Sequence, residues 1–216
     1  MTMKWWQTFK KRLIASTSSK QPSLGDCNWI SIDLELNSLD INQCHILSIG
    51  GISGRGVCID MNSGFHQLIK QTSELNQSPT IHGITEADLS KGDAIAPSLH
   101  NLFERSTDKV WVMHCHAIDW KVLKRYFTQY RFDIGKPVII DTLLLEQYLL
   151  NKESLPLEVD LISCLHRHNI SHGTQHNALE DANVTLQLLF SQLNTLGLTP
   201  NHYLSDLKHT GAIIHF

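Results

Sequence analysis

The sequence has no run of roughly 18 apolar residues of the kind that crosses a bilayer. No continuous apolar stretch like a secretory signal follows its basic first residues either. An integral membrane protein is therefore not expected, and a cytoplasmic location is. The five cysteines (Cys27, Cys44, Cys58, Cys115 and Cys164) are odd in number and scattered, with no C-x-x-C pair. That spacing offers neither a zinc site nor a redox couple, and reduced thiols are the plain reading. Positive charge is not in excess: 18 Lys and Arg stand against 21 Asp and Glu, a formal net charge of −3. Tracking of a long duplex thus lacks a global electrostatic drive, although a local basic patch stays open. Internal repeats and low-complexity segments are also missing.

What the chain does have is material for a core. Its 216 residues are 42% hydrophobic, enough for one α/β domain of moderate size. Residues 1–26 stand apart from it. Trp5, Trp6, Phe9, Leu13 and Ile14 are interspersed with Lys4, Lys10, Lys11 and Arg12, as in a short amphipathic leader helix, and a Ser-, Pro- and Gly-bearing linker follows. Such a helix suits packing on the domain or a partner, or attachment to a membrane surface. Residues 27–197 read as a single domain. Strands are expected at 29–36, 45–52 and 57–60, with 65–69 as a further candidate, joined by turns such as Ser53-Gly54-Arg55-Gly56 into an antiparallel meander. Beyond it, helices at 97–104, 118–130, 142–149, 157–168 and 178–196 alternate with short strands at 110–113 and 138–140. This order implies an α/β fold with a mixed five-stranded sheet flanked by helices. Residues 198–216 would be a C-terminal extension packed on the domain.

Within the first strand, Asp33 and Glu35 lie two residues apart and so project from one face of an otherwise apolar segment. Two such carboxylates repel unless a cation sits between them. Hard divalent ions such as Mg²⁺ take carboxylate oxygens, and small carboxylate clusters around them commonly serve hydrolysis at phosphorus. Asp119 follows the strand at 110–113 and falls in the first turn of a helix, where an acid either serves a site or complements the helix dipole. Near the last helix, Asn177 and Glu180 fit a capping pair, which starts the helix at Ala178 and leaves His176 in the loop before it. Asp181 then faces the sheet, with an imidazole free to swing over the same pocket. A histidine titrating near neutrality beside carboxylate-bound metal is suited to take a proton from water.

Taken together, Asp33-x-Glu35, Asp119 and His176 four residues before Asp181 resemble the DEDDh 3′→5′ exonucleases. These are the DnaQ-like branch of the ribonuclease-H-like fold, which includes proofreading exonucleases of the DNA polymerase III epsilon type. The resemblance spans about residues 29–193 and includes Ile81-His82-Gly83-Ile84-Thr85, similar to the family's His-Gly-Ile-Thr turn, and Asp141-Thr142 after the last strand. It implies an enzyme that hydrolyses the terminal phosphodiester of single-stranded or short nucleic acid, releasing nucleoside 5′-monophosphates from a 3′ end. It also implies that Asp33, Glu35, Asp119 and Asp181 hold two Mg²⁺ or Mn²⁺ ions and that His176 is the general base.

Departures from the family pattern bear on substrate handling. Leu36 stands where the first motif commonly has a threonine that contacts the terminal nucleotide. The usual His-Asn-Ala-x-Phe-Asp of the second motif is His114-Cys115-His116-Ala117-Ile118-Asp119. An altered pocket for the 3′-terminal base is the expectation, with Leu36, His82, Ile84, Cys115 and Ile118 as its substrate-binding residues. Of the 13 histidines, His114 and His116 could form a zinc pair, but no second pair stands at a structural-zinc spacing. Lys121, Lys124, Arg125 and Arg131 form either a phosphate-facing ridge or an ordinary solvated face. Expected partners are DNA or RNA 3′ ends or short oligonucleotides, with a homodimer and a polymerase-associated complex both open. The competing reading is a catalytically weak nucleic-acid-binding or polymerase-associated module that keeps the fold. Four clustered carboxylates are costly, and such a module has no use for them.

Overall fold

The computed structural model describes residues 22–38, 40–70, 83–153, 158–173 and 177–215. The expected leader helix lies outside these residues. β1 (Asn28–Leu36) sends Ile30, Ile32 and Leu34 to one face, and Trp29, Ser31, Asp33 and Glu35 to the other. It pairs antiparallel with β2 (Ile46–Arg55), which pairs antiparallel with β3 (Cys58–Leu68). The separate strands expected at 57–60 and 65–69 are thus one 11-residue strand. Its polar middle, Asp60 to Gly64, reads as a turn in the sequence, yet an edge strand can leave those side chains in water.

On the other side of β1, β4 (Val110–Met113) and β5 (Val138–Asp141) add in parallel. β6 (Ile213–His215) closes the sheet antiparallel to β5, giving the order β3-β2-β1-β4-β5-β6. The sheet therefore has six strands rather than the expected five. The extra strand comes from the C-terminal extension and is three residues long, too short for a periodicity to betray it.

Helices cover both faces. Ile30, Ile32 and Leu34 pack with Leu99 and Leu102 of α2 (Ile95–Ser106) and with Trp120, Leu123 and Phe127 of α3 (His116–Gln129). On the opposite face, Trp29, Ile52, Val112 and Ile140 meet Leu186, Leu189 and Leu193 of α6 (Ala178–Thr195) and Leu145 of α4 (Thr142–Glu153). Each such leucine contributes roughly 1.5–3 kcal/mol by burial. The 3₁₀ turn Leu204–Thr210 buries Leu207 in the same cluster. Two short helices complete the set. α1 (Glu86–Ser90) is opened by a Thr85–Asp88 capping box, and α5 (Leu161–Arg167) by Asp160, whose side chain accepts the Ser163 N–H. The helix expected from 157 thus begins only at 161, because Asp160 is its cap. Among the described residues no helix is long and apolar enough to cross a membrane.

Three parallel strands, β1, β4 and β5, end on the same edge of the sheet, and α3 and α4 start directly after β4 and β5. In open α/β sheets, groups at the carboxyl ends of strands are the ones free to act. Asp33 and Glu35, towards the end of β1, and Asp119, in the first turn of α3, lie at that edge.

Candidate active site

Asp33 pairs with Gly50, and Glu35 pairs with Ser48, after which the register slips between Glu35 and Leu36. A bulge of this kind bends the strand and re-aims the side chains beside it. Both carboxylates point to the face covered by α6, whose first turn carries Asp181. The start of α6 is fixed by Asn177, which accepts the N–H groups of Leu179 and Glu180 through its side-chain oxygen. Its approach to the sheet depends on a glycine. A Cβ at Gly50 would lie 2.1 Å from the Ala178 carbonyl carbon and 2.2 Å from the Leu179 nitrogen. With that space open, Asp33, Glu35 and Asp181 each offer a carboxylate oxygen, and all three lie within 4.8 Å of one another.

Asp119 joins from α3. It is buried in the first turn of that helix and stands outside the 4.8 Å group, but its charge acts on Asp33 and that of Glu35 acts on it. Burial, followed by the charges of Asp119, Glu35 and Asp181, pushes the Asp33 carboxyl well above the usual carboxylate range. Burial and then Asp181 raise Glu35 to about 7. Burial, Glu35 and then Asp141 push Asp119 well up. Carboxyls disfavoured as anions by burial and by one another form a site that lacks positive charge. Hard divalent cations with oxygen ligands fit that deficit. The fully buried Ser48 hydroxyl, on the same ladder row as Glu35, has no hydrogen-bond partner among the described residues.

Asp141 holds this edge together. Its carboxylate accepts the backbone N–H groups of Cys115 (3.2 Å) and His116 (3.0 Å) at the start of α3, and those of Leu143 (2.8 Å) and Leu144 (3.4 Å) at the start of α4. It also meets Nδ1 of His116 at 2.5 Å. One buried side chain therefore caps two helices and sets the turn from which Asp119 projects. The residue before α3, Cys115, is left-handed at φ 65° and makes no side-chain cap bond, so the capping falls to Asp141. In the sequence Asp141 is visible only as a companion signature; an acid at a strand end directly before a helix is the signal that could have exposed its capping role.

The other singled-out residues divide. His176 and His82 lie outside the described residues. Cys115 and Ile118, both half-buried, flank the first turn of α3 near Asp119. Leu36 is half-buried against the α2–α3 core cluster, and Ile84 is buried with Leu47 and Leu89. His114 is engaged at both ring nitrogens, by the Thr142 hydroxyl and the Val159 carbonyl at 2.9 Å each, and burial lowers its pKa. Zinc binding by His114 and His116 would have to break these bonds and that to Asp141. Of the basic ridge, Arg125 is turned inward: its guanidinium donates to the carbonyls of Asn42 and Cys44 in the loop after β1. Lys121, Lys124 and Arg131 remain exposed.

The family model RNase_T, described as Exonuclease, matches residues 30–189. A DNA polymerase III of PolC type from Thermotoga maritima is 28% identical over 197 residues, a stretch covering 89% of this chain and 14% of the polymerase. The chain thus spans only a small part of that relative. Among solved structures, exonuclease X in complex with 5′ overhanging duplex DNA superposes with a TM-score of 0.62 at 20% identity, over 82% of this chain and 98% of that one. E. coli exonuclease I in complex with a dT13 oligonucleotide gives 0.65 at 14% identity, over 79% and 41%. Cell-death related nuclease 4 gives 0.67 at 11% identity, over 80% and 65%. Identities this low speak for a shared fold.

Proposed function

The chain belongs to the RNase_T exonuclease family, and from that premise we propose that it hydrolyses the terminal phosphodiester at the 3′ end of single-stranded or short nucleic acid. The observation that carries the reading is the convergence of Asp33, Glu35 and Asp181 within 4.8 Å, with buried Asp119 beside them. These four carboxylates are the groups that would hold two divalent cations, Mg²⁺ or Mn²⁺. Bound there, the cations supply Lewis-acid polarisation of a phosphoryl oxygen and make water a stronger acid. Ionised Asp33, Glu35 and Asp181 offer only acceptor oxygens, so they orient cations and repel a bare phosphate. His176, in the segment directly before α6, takes the proton from the attacking water. Leu36, Cys115 and Ile118, at the end of β1 and the start of α3, contact the 3′-terminal nucleoside, and His82 and Ile84 of the His-Gly-Ile-Thr signature are the further substrate-binding residues.

Single-stranded ends fit a chain with net charge −3 better than long duplexes do. Exonuclease I is a relative in fold whose complex holds dT13, and the PolC-type polymerase is a relative in sequence. They support DNA as substrate and association with a polymerase. The test is a time course on 5′-labelled single-stranded DNA and matched RNA with Mg²⁺ or Mn²⁺, beside EDTA and His176→Ala controls. A metal-dependent ladder shortening from the 3′ end, lost with His176→Ala, is the expected result. Retained binding without cleavage of either substrate would overturn the enzyme reading in favour of the binding module.

A further inference from the structure

We propose that Ser48 is a positioning residue for the metal site, its hydroxyl donating to the Glu35 carboxylate once that carboxylate takes up a cation. The inference rests on the reading that Asp33, Glu35, Asp119 and Asp181 hold divalent ions. Ser48 lies in β2, between β1 and β3 in the sheet. Its ladder row runs from Glu35 on β1 to Leu68 on β3, and Leu68 offers no polar atom. Residues directly opposite in an antiparallel pair project to one face with Cβ atoms about 4.5–5.5 Å apart, within reach for a hydroxyl and a carboxylate. The face is the one under α6: a Cβ at Gly50, two residues on, would run into Ala178 and Leu179, and alternate residues of a strand share a face. The register slip falls at the same row. Glu35 pairs with Ser48 and Leu36 with Ile46, so Leu47 is the extra residue of a bulge beside Ser48. Bulges re-aim the side chains next to them.

Stability of the metal-free fold does not call for a hydroxyl at this point. Ser48 is fully buried, and its Oγ has no hydrogen-bond partner among the described residues. Its strand neighbours Ile46, Leu47 and Ile49 are buried and apolar. An unpartnered buried hydroxyl costs stability that an alanine of nearly the same size would not. Were room beneath α6 the requirement, as it is at Gly50, alanine would meet it. A hydroxyl without a partner does not by itself mark a role, since Ser31 is equally buried and equally unpartnered. Ser31, however, stands opposite Ile52. Ser48 stands opposite a carboxylate with an oxygen within 4.8 Å of those of Asp33 and Asp181. An ionised carboxylate only accepts, and one that ligates a cation keeps lone pairs the cation does not use. A hydroxyl donating to one of them forms a short, charge-assisted bond, fixes the direction of the carboxylate and gives Ser48 the partner it lacks. Partners of this kind behind a ligating carboxylate orient it and tune its hold on the metal.

The experiment measures Mn²⁺ affinity by calorimetry and the metal-free melting temperature, on the full chain, for the parent, Ser48→Ala and Ser31→Ala. Ser48→Ala is expected to weaken Mn²⁺ binding by about 10- to 100-fold, the usual loss when the partner behind a metal ligand is removed. Its metal-free melting temperature should stay level or rise by about 2–4 °C. Ser31→Ala, which deletes the same group from the same face, should melt in the same way with parent-like Mn²⁺ affinity. Opposite signs in Ser48→Ala separate positioning from packing, in which stability and affinity fall together. Parent-like Mn²⁺ affinity in Ser48→Ala, a lower metal-free melting temperature in that variant, or an equal loss of affinity in Ser31→Ala would overturn the proposal. A parent that binds no Mn²⁺ would refute the metal site itself, and the role of Ser48 with it.

Discussion

Gly50→Ala separates the steric origin of the site from its chemistry. Gly50 is the ladder partner of Asp33, and its backbone is not in the positive-φ region, so alanine meets no conformational barrier there. The obstacle is contact. The added methyl would sit 2.1 Å from the Ala178 carbonyl carbon, 2.2 Å from the Leu179 nitrogen and 2.3 Å from the Ala178 oxygen, where ordinary contact begins at 3.4 Å. All three atoms are backbone, so no rotamer change relieves the clash. The first turn of α6 has to move by at least 1.3 Å, the shortfall at the nearest atom, and Asp181 moves with it. Overpacking of this kind costs roughly 1–3 kcal/mol, or about 2–12 °C of melting temperature for a chain of this size. The displacement at Asp181 is expected to cost about 100-fold in kcat/KM and to weaken Mn²⁺ binding in parallel. Gly51→Ala is the control: its methyl would meet chiefly the far end of the Phe65 ring, at 2.6 Å, on the other face of the sheet. It should cost stability while leaving Mn²⁺ affinity close to the parent's. Melting curves and Mn²⁺ calorimetry on both variants decide the matter. Parent-like Mn²⁺ affinity and turnover in Gly50→Ala would refute the steric reasoning.

Charge makes further demands. Glu35 is raised from 4.5 to about 7, so the folded state binds the extra proton. The stability this contributes is present below pH ~4.5 and is lost as pH rises through about 7, roughly 3 kcal/mol from this group alone. Metal-free melting temperatures should therefore fall over that window, and saturating Mn²⁺ should remove most of the fall; a metal-free curve that rises there would contradict the crowding of the carboxyls. Asp33→Asn, which takes one charge out of the cluster, is expected to abolish hydrolysis yet raise the metal-free melting temperature at pH 7.5; unchanged cleavage rates would sink the assignment. Asp141→Asn leaves backbone donors of α3 and α4 facing an amide, and denaturant titration should register a loss of about 1–3 kcal/mol, with weaker Mn²⁺ binding as Asp119 loses its anchor. Stability and Mn²⁺ affinity equal to the parent's would show that the two helix starts do not depend on it.

The parts of the fold legible in the sequence are those where periodicity and end signals agree. β1 and β4 announce themselves as apolar runs, and α6 by the Asn177 cap followed by an apolar stripe. β3 reads in the sequence as two strands because an edge strand tolerates the polar stretch Asp60–Asn62–Gly64 that a central strand would not. β6 is not legible there because its identity comes from pairing with β5, a partner about 75 residues away in the chain. Within the site, the spacing of Asp33 and Glu35 sufficed to place them on one face. The need for Gly50, the double capping by Asp141 and the inward turn of Arg125 are tertiary facts. Each depends on a neighbour that no local pattern names.

The most direct measurement is Mn²⁺ calorimetry near pH 6 in two buffers of different ionisation enthalpy, on the parent and on Asp33→Asn. The expected result is binding by the parent accompanied by proton release, because carboxyls pushed up by burial and mutual repulsion surrender their protons to the cation, and loss of most of that binding in the variant. Equal binding by both proteins, or none by the parent, would contradict the claim that these carboxylates form a divalent-metal site.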